Sequence, residues 1–147
     1  MSPLPQETKV VVIGGGIAGC STAYHLAKNG WDTVLIERDV LTSGTTWHAA
    51  GMITQLGTAP QITRLRKYSV EFYKDLKKIT GKDSSFKETG TINIAINKER
   101  HQEYLRQKTM SKQFDINIEL INKREFKDLY PIAKNSDVYS GLYIPED

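Results

Sequence analysis

The run Gly14-Gly15-Gly16-Ile17-Ala18-Gly19, met directly after the apolar stretch Val10-Val11-Val12-Ile13, constrains this chain more than any other feature. Gly14, Gly16 and Gly19 stand in the G-x-G-x-x-G spacing, which is weak evidence by itself. Here it follows a predicted strand, opens a predicted helix, and is succeeded by Glu37 at the end of the next apolar run, Thr33 to Ile36. Together these make the start of a parallel βαβ unit that binds a dinucleotide. Gly14 permits the tight turn, Gly16 admits the backbone to a pyrophosphate, and Gly19 lets the helix lie close to the strand. The helix start, with Ile17 and Ala18, presents N–H groups and a partial positive charge to the phosphates. Glu37, followed by Arg38, is placed to accept hydrogen bonds from a ribose diol, and its charge disfavours NADP. The spacing leaves NAD and FAD both open. The long stretch from Arg38 to Gly57, rich in Gly, Thr, Ala and Ser, inclines the reading to FAD, because small residues let the backbone approach a ribitol and a tricyclic ring.

With 147 residues, 39% hydrophobic and 25% charged, the composition is that of an ordinary globular domain. The net charge of +3 is spread along the chain, so no nucleic-acid partner is expected. The single cysteine, Cys20, excludes an intrachain disulfide and a multi-cysteine metal site, and it reads as a packing residue. No metal site is expected. No apolar run approaches the roughly 20 residues that span a bilayer. The first nine residues lack the pattern of a secretory signal, so no membrane association and a cytoplasmic location are the expectation.

Beyond the first strand, which its continuous apolar run predicts to be buried on both faces, a helix is predicted from Ile17 to Asn29, closed by Gly30. Pro60 opens a second helix running to Gly81, with Ile62, Leu65, Tyr68, Phe72, Leu76 and Ile79 recurring every three or four positions. Its Arg64, Lys67, Lys74 and Lys78 read as a solvated face. The segment Phe86 to Asn97 predicts an antiparallel ribbon around Gly90. A third helix follows, from Lys98 to Phe114 and capped by Asn97. Then come a strand at Ile116 to Ile121, a helix opened by an Asn122/Glu125 capping box and stopped by Pro131, and a last strand in Gly141-Leu142-Tyr143-Ile144-Pro145. His25 and His101, inside helices, are expected to carry no chemistry.

The segments "KVVVIGGGIAGCSTAYHLAKNGWDTVLIER" and "LTSGTTWHAAGM" closely resemble the dimethylglycine and sarcosine dehydrogenase family of flavoproteins, and weaker similarity runs through "ETGTINIAIN", "LYP" and "GLYIPED". The run Ser43 to Gly51 is the specific part. The resemblance implies that His48 is joined covalently to the 8α-methyl of FAD, a role for which a neutral imidazole is a competent nucleophile near pH 7. It also implies that Ser43, Gly44, Thr45 and Thr46 approach the pyrophosphate or ribitol, and that Ala50, Gly51 and Met52 run past the ring. Trp47 is left to wall the flavin or to fill the core beneath the loop. The implied reaction is oxidation of an N-methyl amine such as dimethylglycine or sarcosine by hydride transfer to FAD. The electrons then pass to an electron-transferring flavoprotein, and the one-carbon unit goes to water or, in a separate C-terminal region, to tetrahydrofolate.

The expected fold class is α/β: the start of a Rossmann-like FAD-binding domain with an inserted antiparallel ribbon and helices from the substrate-domain side. On this reading residues 1–147 form an incomplete FAD-binding domain of a D-amino-acid-oxidase-like flavoprotein. Residues 8–57 supply the dinucleotide-binding start and flavin loop, and residues 58–147 the partial substrate side. The chain reads as an N-terminal fragment of a longer enzyme, and no catalytic residue is assigned within it. Two alternatives stand beside this reading, a noncatalytic nucleotide-binding or interaction module and a glycine-oxidase-like flavoprotein with noncovalent FAD.

Overall fold

The computed structural model describes residues 5–147. The first four residues of the polar lead lie outside the described residues. The chain divides into two compact units, one running through Met52 and the other from Ile53 to Asp147. Among the described residues no helix is long and apolar enough to cross a membrane.

In the first unit β1 (Val10–Ile13) leads through the glycine turn into α1 (Ile17–Lys28) and then β2 (Thr33–Ile36). The two strands pair in parallel, Val10 opposite Thr33 and Ile13 opposite Ile36. This is the expected βαβ start. Helix α1 ends through a backbone bond from Gly30 N–H to Ala27 O, with Gly30 at φ +80°, a conformation that costs glycine nothing. The expectation that β1 is buried on both faces does not hold. Val10 and Val12 are half-buried, whereas Val11 and Ile13 are 49% and 85% exposed. A single crossover helix covers one face of a two-stranded sheet, and a continuous apolar run reports what a strand can bury rather than what covers it.

The second unit begins with a short strap, Ile53 to Ala59, and α2 (Pro60–Thr80), which stops at Gly81 in the left-handed conformation. It continues with β3 (Thr91–Ala95), α3 (Lys98–Ser111), β4 (Glu119–Ile121), α4 (Lys123–Leu129) and β5 (Ser140–Ile144). The strands form an antiparallel sheet in the order β3-β5-β4. The antiparallel pairing expected around Gly90 is therefore present, but β3 pairs with β5 instead of with residues 86–89. Gly90 itself sits at φ +78°, and a Cβ there would come within 2.6 Å of the Tyr143 ring.

Strand alternation sends the two rows of β5 to opposite sides. Leu142 and Ile144, with Ala95, meet Tyr104 of α3 together with Phe114, Ile116 and Ile118. On the other side Tyr143, Ile92 and Ile121 meet Phe126 of α4 and Val138. Both helices start where polar caps place them. Asn97 accepts the Arg100 N–H, and Asn122 with Glu125 closes a reciprocal capping box. The third predicted helix ends as a 3-10 turn at Lys112–Phe114, and the predicted strand at Ile116 is shorter, since Ile116 and Ile118 pack into the core before pairing begins at Glu119.

Helix α2 reverses part of its sequence reading. Its buried residues are Thr63 and Val70, and the positions one and two turns along the same stripe, Lys67 and Lys74, are not freely solvated. Lys67 Nζ donates to Phe114 O, Lys74 pairs with Glu88, and the Arg64 guanidinium lies 5.9 Å from the Phe114 ring. Ile62, Leu65 and Ile79, from the apolar stripe, are 42%, 62% and 45% exposed. The reason is that the carbonyls after α3 need donors, and long lysine side chains reach them while burying their methylene stems.

Leu142 has no exposed surface. Leu142→Ala is expected to lower the unfolding free energy by about 2–5 kcal/mol, measured by urea denaturation, with an unchanged α-helical circular dichroism signal under native conditions.

Candidate functional site

The three glycines of the signature meet three different constraints. Gly14 sits at φ +104°. A Cβ on Gly19 would lie 1.8 Å from the Gly14 carbonyl oxygen, so α1 rests directly on the turn and no other residue fits. Gly16 is the N-cap of α1 and brings no side-chain acceptor to its N–H groups. The nearest atom to a Cβ at Gly16 would be Thr46 Oγ1 at 3.1 Å.

Glu37 and the loop after it fold onto this turn. The Gly15 N–H donates to Glu37 Oε2, and the Asp39 N–H donates to Oε1 at 3.0 Å. These two bonds, that from Gly15 first, hold the Glu37 carboxyl below its usual range. The Thr42 N–H donates to Gly15 O at 2.9 Å, with Thr42 itself at φ +69°. Thr46 Oγ1 accepts the Ile17 N–H at 3.0 Å, so a hydroxyl from the predicted flavin loop caps the helix that Gly16 leaves uncapped. Gly15 was not among the sequence-predicted site residues, yet it donates to Glu37, accepts from Thr42, and would press a Cβ against Leu41 Cδ2 at 2.5 Å. Its place as the middle of three consecutive glycines was the available signal.

Thr45 to His48 form a 3-10 turn with Gly44 as its N-cap. His48 is exposed, and its Nδ1 lies 3.0 Å from Gly44 O. A carbonyl oxygen only accepts, so Nδ1 is the donor in this contact and Nε2 is left as the other ring nitrogen. Trp47 is 79% exposed and Met52 77%, so the Trp47 indole does not fill a core beneath the loop. Ser43, Thr45, Ala50 and Gly51 are exposed along the same segment, with Gly51 at φ +73°, while Ile17, Ala18 and Arg38 flank the glycine turn and the end of β2. The turn, Glu37 and Thr46 are thus brought together by direct bonds, and His48 stands two residues beyond Thr46. Cys20 Sγ lies 3.4 Å from Gly15 O, and within the second unit His101 Nδ1 lies 2.8 Å from Ser140 Oγ.

Comparison with known proteins places this geometry in context. Residues 9–147 match the model of the DAO family, described as FAD dependent oxidoreductase. The chain is 42% identical over 99% of its length to the mitochondrial sarcosine dehydrogenase of Mus musculus, covering 16% of that protein. It is 40% identical, again over 99% of its length, to the formaldehyde-forming 4-methylaminobutanoate oxidase of Paenarthrobacter nicotinovorans, covering 18% of it. It is 36% identical to the mitochondrial dimethylglycine dehydrogenase of Rattus norvegicus, over 99% of this chain and 18% of that protein. Among solved structures, L-proline dehydrogenase from P. horikoshii superposes with a TM-score of 0.90 at 32% identity, over 98% of this chain and 38% of that one. The chain therefore spans less than a fifth of the length of these three curated relatives.

Gly19→Ala is expected to lower the stability of the first unit by at least about 3 kcal/mol, because backbone must move. Gly44→Ala, where a Cβ meets nothing within 4 Å, should change it by no more than about 0.5 kcal/mol; thermal unfolding of both variants separates the two. Because the folded pKa of Glu37 is depressed, its contribution is present above the unfolded carboxylate pKa and lost as pH falls through the folded value. Glu37→Gln is expected to remove that acid-side loss from the stability–pH profile.

Proposed function

The chain belongs to the family of FAD-dependent oxidoreductases, and on that premise we propose that it carries the FAD-attachment portion of an enzyme that oxidises an N-methyl amine, with the flavin joined covalently to His48. The observation that supports the attachment is the contact of His48 Nδ1 with Gly44 O, which engages Nδ1 and makes Nε2 the candidate nucleophilic nitrogen. The relatives named for sarcosine, dimethylglycine and 4-methylaminobutanoate share a secondary or tertiary N-methyl amine, which supports that substrate class.

The residues present fit the cofactor. Gly16 brings no side chain to the start of α1, and neither Gly14 nor Gly44 has a neighbour within 4 Å of the place a Cβ would take. The first turn of α1 offers N–H groups and a helix dipole to the pyrophosphate. Glu37, ionised and tethered through Gly15, presents acceptor oxygens to the adenosine ribose. Ser43, Thr45 and Thr46 would supply hydroxyls to the pyrophosphate or ribitol, and Trp47, Ala50, Gly51 and Met52 would lie along the ring. FAD supplies the hydride acceptor when bound. The part of this chain's residues would be to hold the dinucleotide and to orient the His48 imidazole through Gly44 O. In the longer protein, water would hydrolyse the iminium to amine and formaldehyde or the one-carbon unit would pass to a folate acceptor, and an electron-transferring flavoprotein would take the electrons.

The test is denaturing gel electrophoresis of the full-length protein under ultraviolet light, followed by intact mass. A fluorescent band carrying the mass of one FAD is expected, and it should vanish in His48→Ala while FAD remains bound but extractable. Flavin released on acid precipitation of the wild-type protein would instead favour a noncovalent, glycine-oxidase-like flavoprotein.

A further inference from the structure

His48 stands on a short turn whose own bonds give it shape but no anchor. Residues Thr45–His48 make one 3-10 turn, and its N-cap, Gly44, supplies no side-chain acceptor. Trp47 N–H donates to Thr42 O at 3.1 Å and Ala49 N–H to Thr46 O at 3.2 Å, both within the loop. The hydrogen-bond geometry of a 3-10 turn is poor, so its place depends on what ties it from outside.

Among the described residues two hydrogen bonds supply that tie. The Thr42 N–H donates to Gly15 O at 2.9 Å, ahead of the turn, and the Ile17 N–H donates to Thr46 Oγ1 at 3.0 Å, inside the turn itself. Ile17 is the first residue of α1, whose N-cap Gly16 has no side chain to offer the helix start, so Thr46 takes the place of the missing cap. Gly16 also makes the room for it. A Cβ at Gly16 would lie 3.1 Å from Thr46 Oγ1, tighter than ordinary van der Waals contact.

Thr46 and His48 are two residues apart on a turn that rises about 2 Å per residue, so the histidine is carried only about 4 Å along the axis from the point that α1 holds. A hydroxyl that accepts from Ile17 keeps its own proton to donate. Holding α1 is therefore compatible with a bond from the same hydroxyl to a phosphate oxygen.

We propose that Thr46 is a positioning residue for the flavin attachment: its hydroxyl pins the turn that carries His48 to the helix start that receives the pyrophosphate, and so sets the imidazole in register with the bound dinucleotide. The attachment role rests on the covalent reading of His48; the pinning of the turn does not. Attachment forms one bond, from His48 Nε2 to the 8α-carbon of FAD, and breaks two, a C–H of that methyl group and the single N–H of the neutral imidazole. The two protons and two electrons released pass to dioxygen as hydrogen peroxide. Noncovalent affinity is shared among all the groups that touch a dinucleotide, whereas the rate of forming a bond depends steeply on how the reacting atoms are held. Loosening the turn therefore acts on attachment far more than on binding.

Full-length protein produced without riboflavin and reconstituted with FAD in air tests this, with attachment followed over time by in-gel fluorescence. Thr46→Val keeps the shape of the side chain and removes its hydroxyl. At saturating FAD it is expected to slow attachment by about a hundredfold, the scale of a misplacement on the order of 1 Å. The FAD dissociation constant, measured in a His48→Ala background, should rise by no more than about tenfold, the worth of one hydrogen bond. Thr46→Ser, which restores the hydroxyl, should restore most of the rate. Attachment slowed no more than affinity is weakened overturns the proposal, as does a Thr46→Ser protein as slow as Thr46→Val. A second measurement needs no flavin chemistry. In the His48→Ala protein, adding Thr46→Val should speed hydrogen–deuterium exchange in the peptide covering Thr45 to Ala49 and leave a peptide from α3 unchanged; equal exchange in the loop overturns the pinning. Extractable flavin in the wild-type protein overturns the covalent reading and the attachment role with it, while the exchange result still decides the pinning, so the two failures are separately visible.

Discussion

The site depends on a single close approach, that of α1 to the carbonyl of Gly14. With a Cβ at position 19 placed 1.8 Å from that oxygen, the helix cannot sit where it does unless residue 19 is glycine. The approach in turn brings the uncapped start of α1 beside the end of β2, where Glu37 closes onto Gly15 and Thr46 caps Ile17. A helix start that its own N-cap cannot satisfy is costly in isolation. Here it is completed by a hydroxyl from 29 residues away, and the same segment carries His48.

The loop that follows β2 has little regular structure, yet it is not loosely attached. Thr42 N–H binds Gly15 O, Trp47 N–H binds Thr42 O, and His48 Nδ1 binds Gly44 O. Each bond points the loop's backbone back to the glycine turn or to itself, which leaves the side chains of Trp47 and Met52 outward. Exposed large apolar groups on a self-bonded loop suit a segment that receives a planar aromatic ligand better than one that fills a core. In the second unit the logic is different. Its sheet uses both rows of β5 against two helices, so its stability comes from packing.

Much of this was legible in local signals. The glycine spacing with Glu37, the Asn97 and Asn122 caps, the stops at Gly30 and Gly81 and the last strand at Ser140–Ile144 all agree with the structure, because each rests on backbone geometry settled within a few residues. The contact of His48 Nδ1 with Gly44 O was not legible, since it depends on which carbonyl the 3-10 turn brings to the ring. The pairing partner of β3 and the role of Gly15 were missed for the same reason: both depend on residues distant in sequence.

By itself, then, the sequence determined where the capped helices begin, where Gly30 and Gly81 stop α1 and α2, the βαβ dinucleotide turn, and the family to which the chain belongs. Only the tertiary structure decided which faces are covered. It put Thr63, Lys67 and Val70 of α2 inward in place of the regular apolar stripe, left Val11 and Ile13 exposed, and buried Asp147 against Gln55. Caps, turns and periodicity act through bonds and sterics over a few residues, and so can be read along the chain. Burial is a property of the partner that a face meets, and a one-dimensional pattern carries the capacity for contact without the identity of that partner.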